Sequence, residues 1–118
     1  MSSLIDQIIA WAGNNAESLR EKGIQVVEKF PGKTSDPTWK ASLGLTYDGI
    51  LVSYTVWERT NWQTELLVMN SLTRQTIVMD DKTPESPEAV HEDLDDVVSK
   101  LLNRTYKRMK PDPKLTVT

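Results

Sequence analysis

The chain contains no cysteine. Disulfides, thiolate metal sites and cysteine nucleophiles are excluded together, and a reducing compartment is compatible with that composition. It contains one histidine, His91, so most acid–base and metal chemistry is hard to assemble. No apolar run approaches the roughly 18–20 residues that span a bilayer; the longest, such as Gly49–Trp57, are strand-length. The first residues have neither the basic start nor the apolar middle of a signal peptide, and an acid stands at Asp6. A cytoplasmic protein with no membrane partner is expected. Several motifs are missing too. There is no P-loop, no GxGxxG and no glycine-framed serine elbow. His91-Glu92 begins like a zinc helix, but Asp95 stands where the second histidine belongs.

What is present is an ordinary globular composition: 118 residues, 38% hydrophobic, 26% charged, net charge −3. A chain of this size buries about two-thirds of its unfolded surface, enough for one core. One domain over residues 1–110 is expected, with 111–118 a frayed tail beyond Pro111 and Pro113.

The first 22 residues read as an amphipathic helix. Ser3 is the candidate cap, and Ile5, Ile8, Ile9, Ala12, Ala16 and Leu19 form the apolar stripe. Gly23 is placed to end it. Ile24–Phe30 is a short strand, and Asp36-Pro37 lies in a loop. Residues 39–47 then alternate apolar and polar, and Asp48-Gly49 calls for a type I′ turn. That turn sets Tyr47 opposite Ile50, Leu45 opposite Val52, Leu43 opposite Tyr54 and Ala41 opposite Val56, all on one face. For the next hairpin, burial favours a register with Trp62, Thr64, Leu66 and Val68 on the same dry face, reached through an odd-length loop or a bulge, the bulge being preferred. Asn70-Ser71 turns the chain into a fifth strand, Arg74–Met79, and Asp80–Glu85 is a polar connection. Ser86-Pro87 opens a second helix whose stripe is Val90, Leu94, Val97, Val98, Leu101 and Leu102, running to about Met109. The expected fold is α+β: a two-layer sandwich of N-terminal helix, five-stranded antiparallel meander and C-terminal helix, with one sheet face left to solvent.

Two excesses bear on function. Eight of the seventeen acids fall between Asp80 and Asp96, against one Lys82. A helix dipole accounts for acids only in its first turn. Asp80 and Asp81 precede that turn and Asp95 and Asp96 follow it, so a solvated helix face and a docking surface for a basic partner are both open readings. Asp93 and Asp96 could touch one cation, but no loop supplies the remaining oxygens, and neither metal nor cofactor is expected. The second excess is tryptophan, at positions 11, 39, 57 and 62. Trp39 and Trp62 fall on the dry face, whereas Trp57 falls on the wet face beside Lys40 and Thr55. An aromatic ringed by polar groups suits an interface anchor, and Glu58 and Arg59 adjoin it. Trp57 stacking on Lys40 is the competing reading. Six cations between Lys100 and Lys114 are outweighed by the acidic segment, so nucleic acid is not an expected partner. Paired carboxylates can meet in any fold, but without cleft-forming insertions a non-enzyme is expected.

The hairpin Gly49-Ile-Leu-Val-Ser-Tyr-Thr-Val-Trp57-Glu58, the strand Glu65-Leu-Leu-Val68, the acidic turn His91-Glu-Asp-Leu94 and the opening helix ending at Gly23 carry a resemblance. Over about residues 1–104 the chain resembles the immunity proteins of bacterial polymorphic-toxin and contact-dependent inhibition systems, and within them the TriTu-type family. It departs from that pattern after the Trp-Glu pair, where Arg59-Thr60-Asn61-Trp62 replaces a small residue and glycine. The resemblance implies an antitoxin that binds one cognate toxin domain, a nuclease being one possibility, and blocks its active site without catalysis. The expected contact surface is Trp57, Glu58, Arg59, Asp80, Asp81, Glu88, Glu92 and Asp96. The alternative is a small acidic secretion-type chaperone that binds an effector segment as a dimer. A monomer is expected, with a dimer as the other possibility; a monomeric mass argues against the chaperone.

Overall fold

A computed structural model describes residues 4–30, 40–58 and 62–109. The elements are α1 (Leu4–Glu21), β1 (Gln25–Lys29), β2 (Lys40–Tyr47), β3 (Ile50–Trp57), β4 (Gln63–Asn70), β5 (Thr76–Lys82), α2 (Ala89–Leu102) and α3 (Thr105–Arg108). The five strands form one antiparallel meander in the order β1-β2-β3-β4-β5. Helices α1 and α2 lie side by side on one face, as the α+β sandwich requires.

The two glycine turns do what their positions demand. Gly23 takes φ +88° and lets the Ile24 amide reach back to the Leu19 carbonyl at 2.9 Å, closing α1. Asp48 (φ 49°) and Gly49 (φ +82°) both adopt positive φ, the requirement of a type I′ turn. The register that follows pairs Tyr47 with Ile50, Leu45 with Val52, Leu43 with Tyr54 and Ala41 with Val56. Strand parity therefore stacks Leu43, Leu45, Val52, Tyr54, Val56 and Val68 under the helices. Against them pack Leu4, Ile8, Trp11, Ala12 and Leu19 of α1, and Val90, Leu94, Val97 and Leu101 of α2.

Several expectations need correction. In α1, Trp11 is buried and Ile9 is exposed, so the stripe is centred one position further round the helix. The β3–β4 connection is five residues long, which pairs Trp57 with Gln63 and puts Thr64, Leu66 and Val68 on the dry face with no bulge. Trp62 then lies outside the strand, 39% exposed, and is not core. The sheet's irregularity sits instead between Val68 and Met69, where β4 meets β5.

The β4–β5 turn is longer than Asn70-Ser71. Asn70 Oδ1 accepts the Leu72 and Thr73 amides, and Arg74 takes φ 63°, so β5 starts at Thr76. Its ladder continues through Leu66–Asp80, Glu65–Asp81 and Thr64–Lys82, placing Asp80 and Asp81 in a strand rather than a connection.

Finally, α2 is not one helix to Met109. Arg104 adopts a left-handed conformation (φ 57°), and α3 is a separate four-residue turn. The break turns Tyr106 back into the core and lets Arg104 and Lys107 reach Asp48. The helix begins at Glu88 without a side-chain cap; the Ala89 and Val90 amides bond to the Ser86 and Pro87 carbonyls. Ser3, Trp39, Arg59, the loop expected around Asp36-Pro37 and the tail expected over 111–118 lie outside the described residues.

Candidate functional site

A connection that climbs from β5 to α2 leaves a groove of about 630 Å³ beside it, walled by Glu85, Glu88, Glu92 and Asp93 with Lys82 at its edge. Strand β5 delivers Lys82 at its last position, and α2 presents Glu88 and Glu92 one turn apart. The Ser86–Glu88 turn carries the chain across the gap between sheet and helix. A cleft of about 40 Å³, lined by Tyr54, Thr64, Asp80 and Asp96 among others, adjoins the groove, with Lys82 and Asp93 in both.

A polar chain runs from core to surface between the two. Tyr54 sits beneath α2, where its phenol must find an acceptor. It donates to Asp93 Oδ2 at 2.9 Å. Asp93 Oδ1 lies 3.6 Å from Lys82 Nζ, which lies 3.7 Å from Asp80 Oδ2. Burial, and then the Asp93 charge beside it, hold the Tyr54 hydroxyl far above its ordinary titration range. The phenol keeps its proton and remains the donor to Asp93.

Other acids of the segment have structural partners. Trp11 Nε1 donates to Asp95 at 2.9 Å, and His91 Nε2 meets Gln7 Oε1 at 2.5 Å. Both pairs advance by four residues on each helix, so α1 and α2 run parallel and are tied at successive turns. The single histidine therefore serves to join the two helices. Asp96 pairs with Lys100 at 2.9 Å, an exposed i, i+4 contact of small energy. Glu58 accepts the Ile5 amide at 2.6 Å, supplying the carboxylate that the first turn of α1 favours.

The expected contact residues are thus divided. Asp80, Glu88, Glu92 and Asp96 collect around the groove and its adjoining cleft. Asp81 is on the opposite sheet face, beside Glu65, whose carboxyl is pushed up by burial and by the Asp81 charge. Trp57 also lies on that face, half-buried rather than fully exposed, and its nearest ladder partners are Lys40 and Gln63. Sequence reasoning left Glu85 and Asp93 out of the contact surface. Tyr54 was the available signal for Asp93: a phenol on the dry face, under an acidic helix, requires an acceptor.

Among the described residues, Glu85, Glu88 and Glu92 take part in no ion pair, and no group of three or more metal-ligating side chains converges. No described helix is long and apolar enough to cross a membrane. The groove can offer unengaged carboxylates to cationic side chains that come to it. No protein-family model matches this chain, no curated protein matches it in sequence, and no solved structure matches it.

Proposed function

We propose that this chain is an immunity-type inhibitor that binds a basic toxin domain in the cytoplasm and blocks it by occupying its cationic surface. The observation that carries this reading is the groove between β5 and α2, where Glu85, Glu88, Glu92 and Asp93 line one concavity against a single lysine. Three of those acids have no ion-pair partner among the described residues, while Asp95 ties α2 to α1 and Asp93 ties it to the sheet. Such a charge arrangement speeds encounter with a basic partner and rejects acidic ones. A toxin that acts on nucleic acid must itself present cationic residues, which makes it a suitable partner class.

The test is co-purification with the product of the neighbouring gene, followed by growth rescue in cells expressing that product. Reversing Glu85, Glu88 and Glu92 to lysine lowers the thermal unfolding midpoint by only a few degrees, because all three are solvent-exposed and the loss is that of acids at the start of α2. The same variant loses binding and rescue. Full protection by a folded triple variant overturns the groove as the contact surface.

A further inference from the structure

The sheet face turned away from the helices has a pattern of its own. Register places Lys29, Ser42, Thr55, Glu65 and Asp81 in one row across the five strands. The neighbouring row is Val27, Gly44, Ser53, Leu67 and Met79. Then come Thr46, Leu51 and Met69 on one side, and Lys40, Trp57 and Gln63 on the other. Val27 and Met79 are each 51% exposed. Because Gly44 has no side chain, a groove of about 290 Å³ opens over β1–β3, lined by Val27, Thr46, Leu51 and Ser53 among others.

These rows are complementary to themselves. A two-fold axis along β3, lying in the plane between two facing sheets, carries β1 onto the partner's β5 and β2 onto its β4 while keeping each row level. Gly44 then faces the partner's Leu67, a hollow against a protruding side chain. Val27 faces Met79, Leu51 meets its own copy, and Trp57 meets its own copy at the end of the strands. Lys29 faces Asp81, and Glu65 sits beside that contact. The perpendicular in-plane axis instead lays each strand over its own copy and leaves the Glu65–Asp81 pair facing no cation from Lys29. Charge and shape select the same operator.

We infer that the open sheet face is the interface of a homodimer, a second copy packing on it about a two-fold axis along β3 with Leu67 seated over Gly44. Such an interface is isologous, as cyclic dimers require. Aligned sheets pack at about 30° to one another, so the centre of the face closes and the corners splay. The long Lys29 side chain spans the corner gap. Strands of five, eight, eight, eight and seven residues, about 4.8 Å apart and rising about 3.3 Å per residue, offer roughly 570 Å² per copy. The pair then buries at most roughly 1,100 Å², in the range of weak and transient interfaces. The acidic groove lies on the other layer, so a dimer of this form leaves the proposed contact surface uncovered.

Sedimentation equilibrium of the full chain over about 1–500 µM reads the association directly. The expected result is a monomer–dimer equilibrium that Leu67→Lys abolishes while the fold is retained by circular dichroism. Lys29→Glu and Asp81→Lys each weaken dimerisation roughly 2–30-fold, the scale of the two exposed ion pairs that the axis generates from this one contact. A one-to-one mixture of those two variants recovers wild-type association, because each charge then meets its opposite across the axis. Within one copy the two residues are on opposite sheet edges, about 19 Å apart, so only an intermolecular contact produces that recovery. A chain that stays monomeric throughout, a dimer indifferent to Leu67→Lys, or a mixture no tighter than either variant alone overturns the inference.

Discussion

The two faces of the sheet come from the same strands, residue by alternate residue, and they have been put to opposite uses. Under the helices, Leu43, Leu45, Val52, Val56 and Val68 are each 0% exposed. On the open face, Val27 and Met79 remain half in water, with Gly44, Ser53 and Leu67 between them. The covered face also orders the acids above it. Asp93 is drawn in by Tyr54 and Asp95 by Trp11, while Glu85, Glu88 and Glu92 stay outside. Net charge of a segment is therefore a poor guide to its binding surface until the carboxylates that fix the fold are subtracted.

The comparison breaks most visibly under truncation. Leu43→Ala opens a cavity in a site with no exposure, and loses about 2–5 kcal/mol. Leu67→Ala, on the open face of the neighbouring row, costs less than about 1 kcal/mol when measured below the concentration at which chains associate. Urea unfolding at equal slope separates the two. Equal losses at both sites mean that the open face is covered within the monomer.

A smaller effect tests the polar chain from the core. Tyr54→Phe keeps the ring and deletes the donor to Asp93, for a loss of about 1–2 kcal/mol near neutral pH. The sign of its pH dependence follows from the raised hydroxyl pKa. An unfolded tyrosine ionises near the ordinary 10.0, while the native one keeps its proton well beyond that. Its contribution is complete below pH 10 and declines as pH rises above it. Tyr106, pushed up to about 12 by burial and the Asp96 charge, acts in the same direction between those values. Wild type loses stability more steeply than Tyr54→Phe above pH 10, and the slope left in the variant belongs chiefly to Tyr106. Identical alkaline slopes remove the special status of Tyr54.

The best-read parts of this fold were those where local chemistry and face pattern agree. Asp48-Gly49 imposed one register, and Leu45, Val52 and Val68 then had one face to occupy. Gly23 ended α1 for a purely local reason. Boundaries decided by distant partners were misread. Asp80 and Asp81 look like connection residues, yet β4 offers them a ladder. Nothing local at Arg104 announces a left-handed residue; the break is set by Tyr106 returning to the core and by Asp48, fifty-six residues away. Trp11 fills the stripe beside Ile8 and Ala12, and its bond to Asp95 reaches another helix that no local pattern announces. The acidic segment was visible as a whole, but its division into tethers and groove wall depended on which carboxylates α1 and the sheet could reach.

Asp48 provides the mildest test, because it joins a local signal to a distant one. Its backbone makes the hairpin turn, and its carboxylate meets Arg104 at 2.9 Å and Lys107 at 3.1 Å. Asp48→Asn separates these roles, since asparagine also tolerates positive φ. The turn survives and only the charge contact is lost. Hydrogen bonds from Lys107 and Arg104 hold the Asp48 carboxyl below its ordinary 3.8. A depressed pKa stabilises the fold above the unfolded value, and that contribution disappears as pH falls through the folded one. The wild type should melt slightly higher than Asp48→Asn at neutral pH and low salt. The gap should close both in strong acid and in concentrated salt, because the pair is exposed and screened. A gap that persists in concentrated salt assigns the effect to the turn backbone, and the basic end of α2 and α3 is then held by packing of Tyr106 and by Arg104 over the Tyr47 ring.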